Sequence, residues 1–357
     1  LIKLPGLNLY EYGLKSLRPR HLTSLANIVE WFSKLTGGFA EPYAFGRRAV
    51  AYLKKHRADY DIVHDNQSLC YGLLAIERFL PLVTTLHHPI TRDCQLALDA
   101  EPRWYIRLMI RRWHSFLHMQ KKVVQRLQHI VTVSQRSSDD SADAFDVPAS
   151  KFTLIYNGIN TDEFTPQPQI ARKPFRLIAT ASADAPLKGL RFLLLAVAQL
   201  LPQYPLLELL VIGKPRPGGP TDLLLDELGI RARVLFASGI TTERLVEYYA
   251  ESAIAVVPSL YEGFGLPAGE AMACGLPVVS TTGGALPEVV GDAGMQVPPG
   301  DAKALAQAIA MLLDDAALRD RLSVAARARI EALFCWNVNA RKLVDYYREV
   351  IAQHVNR

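Results

Sequence analysis

Two carboxylates eight positions apart bracket a glycine turn: Glu262 and Glu270 in the run Glu262-Gly263-Phe264-Gly265-Leu266-Pro267-Ala268-Gly269-Glu270. The apolar stretch Ile254-Ala255-Val256-Val257 that precedes them reads as a buried strand ending at Pro258-Ser259. Gly263 and Gly265 then let the chain turn tightly and leave its amides open to close approach. Pro267 suits the first position of a helix, Gly275 its C-terminal cap and Pro277 a stop just beyond, so a helix is expected over residues 268 to 274. The start of a helix gathers unpaired N–H groups and the positive end of its dipole, which favours an anion at Gly265-Leu266-Pro267-Ala268. Acidic acceptors beside anion donors suit a molecule that carries both phosphate and hydroxyls, such as a nucleotide sugar. Spacing alone leaves the plainer alternative open: Glu270 favours the helix start and Glu262 is a solvated loop residue.

The strand, turn, helix and strand of residues 256 to 289 also carry a resemblance. Glu262-Gly263-Phe264-Gly265-Leu266-Pro267, Glu270-Ala271-Met272-Ala273-Cys274-Gly275, Pro277-Val278-Val279 and Glu288-Val289-Val290 closely resemble glycosyltransferase family 4. The resemblance implies a retaining transferase of the GT-B fold, with two doubly wound, Rossmann-like α/β domains facing a cleft. The donor would lie on the second domain and the acceptor on the first. Glu262 and the backbone of Phe264, Gly265 and Leu266 would hold sugar hydroxyls, and Glu270 the ribose. Retention would come by same-face attack, with a donor phosphate oxygen taking the acceptor proton.

Length and charge set outer limits. A chain of 357 residues with 50% apolar residues is expected to form two domains. A net charge of +5 is too small for a dedicated nucleic-acid binder, so no nucleic-acid partner is expected. Cys70, Cys94, Cys274 and Cys335 are scattered and form no CxxC pair, which indicates neither a zinc site nor a disulfide framework and fits a reducing cytoplasm. No apolar run reaches the roughly 20 residues of a spanning helix. The opening LIKLPGLNLY lacks the strand that usually starts an α/β domain, so an upstream segment is expected to be missing.

In the first half, helical patterns cover residues 21 to 35 and 45 to 55, and Asp61-Ile62-Val63-His64 reads as a strand followed by Asp65-Asn66-Gln67-Ser68. Asp65 and Asn66 are acceptor-side candidates, because α/β sheets bind ligands beyond the carboxyl ends of strands; Asp65 and Ser68 could equally cap a helix over residues 69 to 79. A second strand, Leu82 to Leu86, ends in His87-His88-Pro89. Histidine there can hydrogen-bond a hydroxyl or exchange a proton near neutral pH, although a lone histidine is often structural. The resemblance selects His87 as the group beside the transferred sugar.

Residues 102 to 138 hold eight Lys/Arg and no acid. On one amphipathic helix, Arg103, Arg107, Arg111, His114, His118, Lys122 and Arg126 share a face opposite Ile106, Met109, Ile110, Trp113, Phe116, Leu117, Val123, Val124 and Leu127. Either the apolar face packs into its domain and the basic face is solvated, or the stripe over residues 103 to 126 meets an anionic membrane at its inner face.

The strand Ile130 to Ser134 closes this half. Thr153 to Asn160 and Phe164-Thr165-Pro166 resemble the segment that joins the family's domains, giving a first domain over 1–160, a second over 161–338 and a terminal helix over 339–357 that crosses back to the first. After a strand over residues 175 to 181, Lys188-Gly189 matches the family's lysine directed at the donor diphosphate. The arginine expected six residues earlier is Ser182, so either the helix-start amides and Lys188 suffice or an arginine comes from elsewhere, with Arg191 and Arg216 as candidates. The resemblance implies that Gly213 and Lys214, at the end of a strand over 207 to 212, face the nucleotide base, and the proline- and glycine-rich loop 215–220 is expected to be mobile.

The sequence therefore predicts transfer of a hexose from a UDP- or GDP-sugar to a hydroxyl of a lipid or glycan, with Lys188, Glu262 and His87 at the reacting sugar. No cofactor is expected, and no DxD-type metal site is evident. A GT-B glycan phosphorylase, a sugar-nucleotide epimerase and a nucleotide-sugar binder without turnover are the alternatives.

Overall fold

The computed structural model describes residues 24–181 and 184–356, together with residues 2–4, 6, 7, 9, 13, 18 and 21. Ser182 lies outside the described residues. The chain divides into two compact units, Leu1–Ile155 with Leu343–Arg357 and Tyr156–Lys342. The boundary expected at residue 160 falls at 155. The C-terminal segment joins the first unit from Leu343 rather than from residue 339.

The first unit starts with helices α1 (Leu25–Leu35) and α2 (Glu41–Lys55). Next come strand β1 (Val63–Asn66), helix α3 (Tyr71–Ile76), strand β2 (Leu82–Leu86) and helices α4 (Thr91–Ala100), α5 (Trp104–Trp113) and α6 (Leu117–Val124). Strand β3 (Ile130–Thr132), helix α7 (Gln135–Phe145) and strand β4 (Phe152–Leu154) complete the alternation. The sheet is parallel, in the order β1-β2-β3-β4, which is one half of a doubly wound sheet. β2 and β3 are buried along their whole length, as strands covered on both faces must be. One face packs on Leu73, Phe116, Met119, Val123, Val124 and Phe145; the other packs Val83, Val131 and Ile155 on Val350, with Tyr346 and Tyr347 beside it.

Three expectations change in this unit. β1 begins at Val63, two residues late, so Asp65 and Asn66 belong to the strand end. Helix α3 is shorter than expected because Gln67 and Leu69 adopt left-handed backbone, at φ 58 and 45, which helix cannot accommodate. The basic helix is two helices separated by a 3₁₀ turn over His114–Phe116. In α6 and its flanks the apolar residues recur at helical spacing, and Phe116, Met119, Val123, Val124 and Leu127 are buried. In α5 the apolar residues span a wide arc beside Arg107 and Arg111, more than one packed face can take. No residue of α5 is buried, and Trp104 is 72% and Met109 62% exposed. Packing on the domain thus accounts for α6 and not for α5.

The second unit contains strands β5 (Arg176–Thr180), β6 (Glu208–Ile212), β7 (Val234–Ala237), β8 (Ile254–Val257), β9 (Val278–Thr281) and β10 (Met295–Val297). They form a parallel sheet ordered β10-β9-β8-β5-β6-β7. Helices α8 (Leu190–Leu200), α9 (Pro220–Glu227), α10 (Thr242–Glu251), α11 (Leu266–Ala273), α12 (Leu286–Val290), α13 (Ala302–Asp314) and α14 (Ala316–Arg329) connect and cover them. The last helix, α15, runs from Trp336 to Val355. The core between sheet and helices is built from Leu177, Leu193, Val197, Leu209, Ile254 and Ile309 among others, all buried.

Strand order reverses where β5 and β8 lie side by side. A parallel sheet opens a crevice beyond the carboxyl ends of its strands at such a reversal. Two loops share that place and touch closely: Gly189, at φ +64, comes so near Pro258 that a Cβ would lie 1.9 Å from its carbonyl oxygen. Gly229 has nearly the same φ of +65 with no atom within 4 Å of such a Cβ. Gly229→Ala should cost only the roughly 1–2 kcal/mol of the left-handed conformation. Gly189→Ala adds a backbone clash, and thermal unfolding should show at least about twice that loss.

Candidate functional site

The crevice is furnished by the two loops that follow β5 and β8. Lys188 ends a 3₁₀ turn over Pro186–Lys188, and its ammonium donates to Glu262 Oε1 at 2.8 Å. Ser259 Oγ donates to the same oxygen at 2.7 Å. Glu262 is held from behind as well. Its backbone carbonyl accepts from Ala285 N at 2.8 Å, and Gly284, at φ +65, leaves no room for a side chain beside that carbonyl. Leu260 N donates to Leu187 O at 2.8 Å, which clips the two loops together. The carboxylate is almost covered at 10% exposure, while Lys188 keeps 33%. One cation thus reaches solvent from an otherwise buried ion pair, a geometry that fits an incoming anion.

Helix α11 begins at Leu266, one residue before the expected start, with Gly265 capping it at φ 103. Of the residues expected to offer amides there, Pro267 has none and Ala268 N donates to Gly265 O at 3.0 Å, so the amides of Gly265 and Leu266 are the candidates. Phe264 is buried and packs edge-on to Phe334 with centroids 5.7 Å apart, so only its backbone is available to a ligand. Gly213 donates its N–H to Ala237 O at 2.7 Å, and Lys214 beside it is exposed. Arg191 is exposed at the start of α8, while Arg216 is paired with Asp184 at 3.3 Å. Asp184 also accepts from Arg216 N and Thr221 N, fastening at both ends the loop expected to be mobile.

Glu270 sits in the second turn of α11. It lines a cavity of 390 Å³ with Asn160, Thr161, Glu163, Cys335 and Trp336, and Glu262 is not among the lining residues. Burial, and then the nearby charge of Glu163, push the Glu270 carboxyl up to about 7. Among the described residues there is no cluster of three or more His, Cys, Asp or Glu that could hold a metal ion.

In the first unit His87 lies where β2 ends, and its ring Nε2 is 2.6 Å from Asn66 Oδ1. Burial, and then His88, hold the imidazole below its ordinary value, which keeps it neutral near pH 7. Its backbone is gripped on both sides: His87 N donates to Gln67 Oε1 at 2.7 Å, and His87 O accepts from Ser137 Oγ at 2.6 Å. Gln67 also donates to His88 O at 2.8 Å, so its left-handed backbone buys a side-chain clasp on the histidine pair. Asp65 does not join this group. It is buried, and its oxygens accept from the amides of Ser68 and Leu69 and from the Ser68 hydroxyl, which makes it part of the turn rather than a group open to an acceptor.

Sequence reasoning passed over Gln67, Ser137 and Ser259 as positioning residues. For Ser259 a signal existed, a hydroxyl at the strand end three residues before Glu262. For Gln67 and Ser137 there was none, since both act on His87 from distant parts of the chain.

Comparison with known proteins points the same way. A family described as "Glycosyltransferase Family 4" matches residues 13–163, and one described as "Glycosyl transferases group 1" matches residues 174–315. A protein of Mycolicibacterium hassiacum named MMP alpha-(1->4)-mannosyltransferase is 41% identical over 99% of this chain and 86% of its own length. A D-inositol 3-phosphate glycosyltransferase of a Nocardioides species is 30% identical over 82% of this chain and 68% of its own. Among solved structures, sucrose-phosphate synthase from Thermosynechococcus elongatus superposes with a TM-score of 0.71 at 28% identity, over 87% of this chain and 78% of that one. Anabaena HepE, solved in complex with UDP, shares the fold with a TM-score of 0.69 at 21% identity, over 84% and 82% of the two chains.

The raised carboxyl of Glu270 has a testable sign. The folded state holds a proton that the unfolded state releases near the ordinary carboxyl value of 4.5, so stability falls as pH rises from there to about 7 and the penalty is constant above. Glu270→Gln should therefore melt above the unsubstituted protein at about pH 8, and the difference should vanish towards about pH 5. Thermal melts across that range check it.

Proposed function

The chain belongs to glycosyltransferase family 4 and is a hexosyltransferase of the GT-B fold, and from that premise we propose that it moves an α-mannosyl group from a nucleoside-diphosphate sugar to a saccharide hydroxyl with retention. Support for mannose comes from the mannosyltransferase that is 41% identical over nearly the whole chain.

The observation that carries the chemistry is the Lys188–Glu262 pair at the reversal of the second sheet. As the sugar carbon parts from the β-phosphate, negative charge grows on the phosphate oxygens, and a cation fixed beforehand costs no reorganisation at that moment. Lys188 is so fixed by Glu262, and the α11 amides add further donors. Glu262 keeps oxygen lone pairs for a sugar hydroxyl, because Lys188 and Ser259 both bind Oε1. His87, neutral and steadied by Asn66, is suited to hydrogen-bond a second sugar hydroxyl. Charge stabilisation by Lys188 and the amides requires no divalent ion.

Transfer from a labelled GDP- or UDP-sugar is the test. Glu262→Gln and Lys188→Ala should each lower kcat by about 10²-fold with the fold intact, and chelator should leave turnover unchanged. Full turnover in Glu262→Gln, or activity restored to chelated enzyme only by magnesium or manganese, would remove this reading.

Docking on an anionic membrane is a second reading, favoured by α5. Trp104, Tyr105, Leu108 and Met109 are exposed on the helix that carries Arg111, a pairing of interfacial aromatics with a cation that suits lipid headgroups, while Arg103, Arg107 and Arg112 are engaged within the chain. Among the described residues, no helix is long and apolar enough to cross a membrane. Vesicles with phosphatidylglycerol should co-sediment the protein, vesicles of phosphatidylcholine alone should not, and Trp104→Ser with Trp113→Ser should abolish the difference.

A further inference from the structure

A second cavity in the first unit has the chemistry of an anion site and no part in the donor chemistry above. It measures 420 Å³ and lies among α4, α5, α6 and α7. Thr91, Arg111, His114, Ser115, His118 and Lys121 supply its polar wall, Ala144 and Phe145 part of its apolar wall, and no carboxylate lines it. It shares no lining residue with His87, Asn66 or Gln67.

The basic side chains converge because of spacing. Arg111, His114, His118 and Lys121 fall three, four and three residues apart, and through the 3₁₀ turn at His114–Phe116 that spacing keeps them on one side of the α5–α6 rod. Their charge is scarcely neutralised. Lys121 has only a loose contact with Asp146, at 3.9 Å and with the carboxylate 84% exposed, and such pairs contribute little. His114 commits Nδ1 to Ile110 O at 2.8 Å, which leaves Nε2 for a ligand. By contrast Arg112, on the other side of α5, is taken up by Ser115 and Thr36, and Arg107 by backbone carbonyls.

We propose that this cavity binds a phosphate group. A guanidinium fork, an ammonium, two imidazoles and two hydroxyls around one space match an anion with several oxygens and more than one charge, rather than a single carboxylate. The volume leaves room for a small group attached to the phosphate. The phosphate comes from a soluble phosphate ester or from a lipid headgroup presented at the edge of α5.

The test follows the ring resonances of His114 and His118 by NMR in the full chain, each assigned by its loss in a His→Gln variant. Inorganic phosphate and glycerol phosphate should shift both rings saturably beyond sodium chloride of equal ionic strength. Arg111→Gln should weaken half-saturation by about tenfold, with Arg111→Lys intermediate and the melting temperature unchanged. Small vesicles containing phosphatidylglycerol or phosphatidylcholine alone form the second arm. Shifts with the soluble esters assign a soluble ligand, and shifts confined to the anionic vesicles assign the headgroup; either supports the site. Shifts no larger than those of the chloride control in both arms, or an equal response in Arg111→Gln, would overturn it.

Discussion

The second unit depends on how closely two loops can approach where its sheet changes direction. β5 and β8 are neighbours, so the segments leaving them must cross or meet within a few residues. They meet, because Gly189 gives up its side chain to the Pro258 carbonyl and Gly284 does the same for Glu262. Only with both backbones in contact can Lys188 reach Glu262, and only then does a charged pair stand at the mouth of the crevice. Buried charge is costly unless paired and hydrogen-bonded. Here Ser259 and Lys188 together satisfy that condition for Glu262.

The first unit meets a similar demand by different means. His87 is placed through its backbone, held by Gln67 on one side and Ser137 on the other, and its ring is oriented by Asn66. Three elements of the unit therefore fix one imidazole: the end of β1, the turn after it and the first turn of α7. The cost appears as left-handed backbone at Gln67 and Leu69, neither of which is glycine.

Local sequence was informative wherever function rests on short-range chemistry. The strand, glycine turn and capped helix from Ile254 to Gly275 could be read almost residue for residue, since β-branched runs, Gly265, Pro267 and Gly275 each allow few conformations. The same holds for Lys188-Gly189. What could not be read arises from packing between distant segments. Apolar content along residues 104 to 113 suggested one buried face, but an apolar arc this wide does not declare which part of it is covered, and α5 buries none. That Glu270 lines a cavity with residues 158–164, more than a hundred positions away, could not be read from the sequence. Asp65 resembled a ligand residue by type, yet its oxygens are consumed by a turn whose shape is set by the unusual φ of Gln67 and Leu69.

The loops after β5 and β8 have one further consequence. Each leaves from a strand of the sheet and leads into a helix, α8 or α11. They are joined by the bond from Leu260 N to Leu187 O and by the Lys188–Glu262 pair. As an interlocked pair they form a transplantable cassette: exchanged together, they could bring a new selectivity to this scaffold, whereas either one moved alone would arrive without its counterpart.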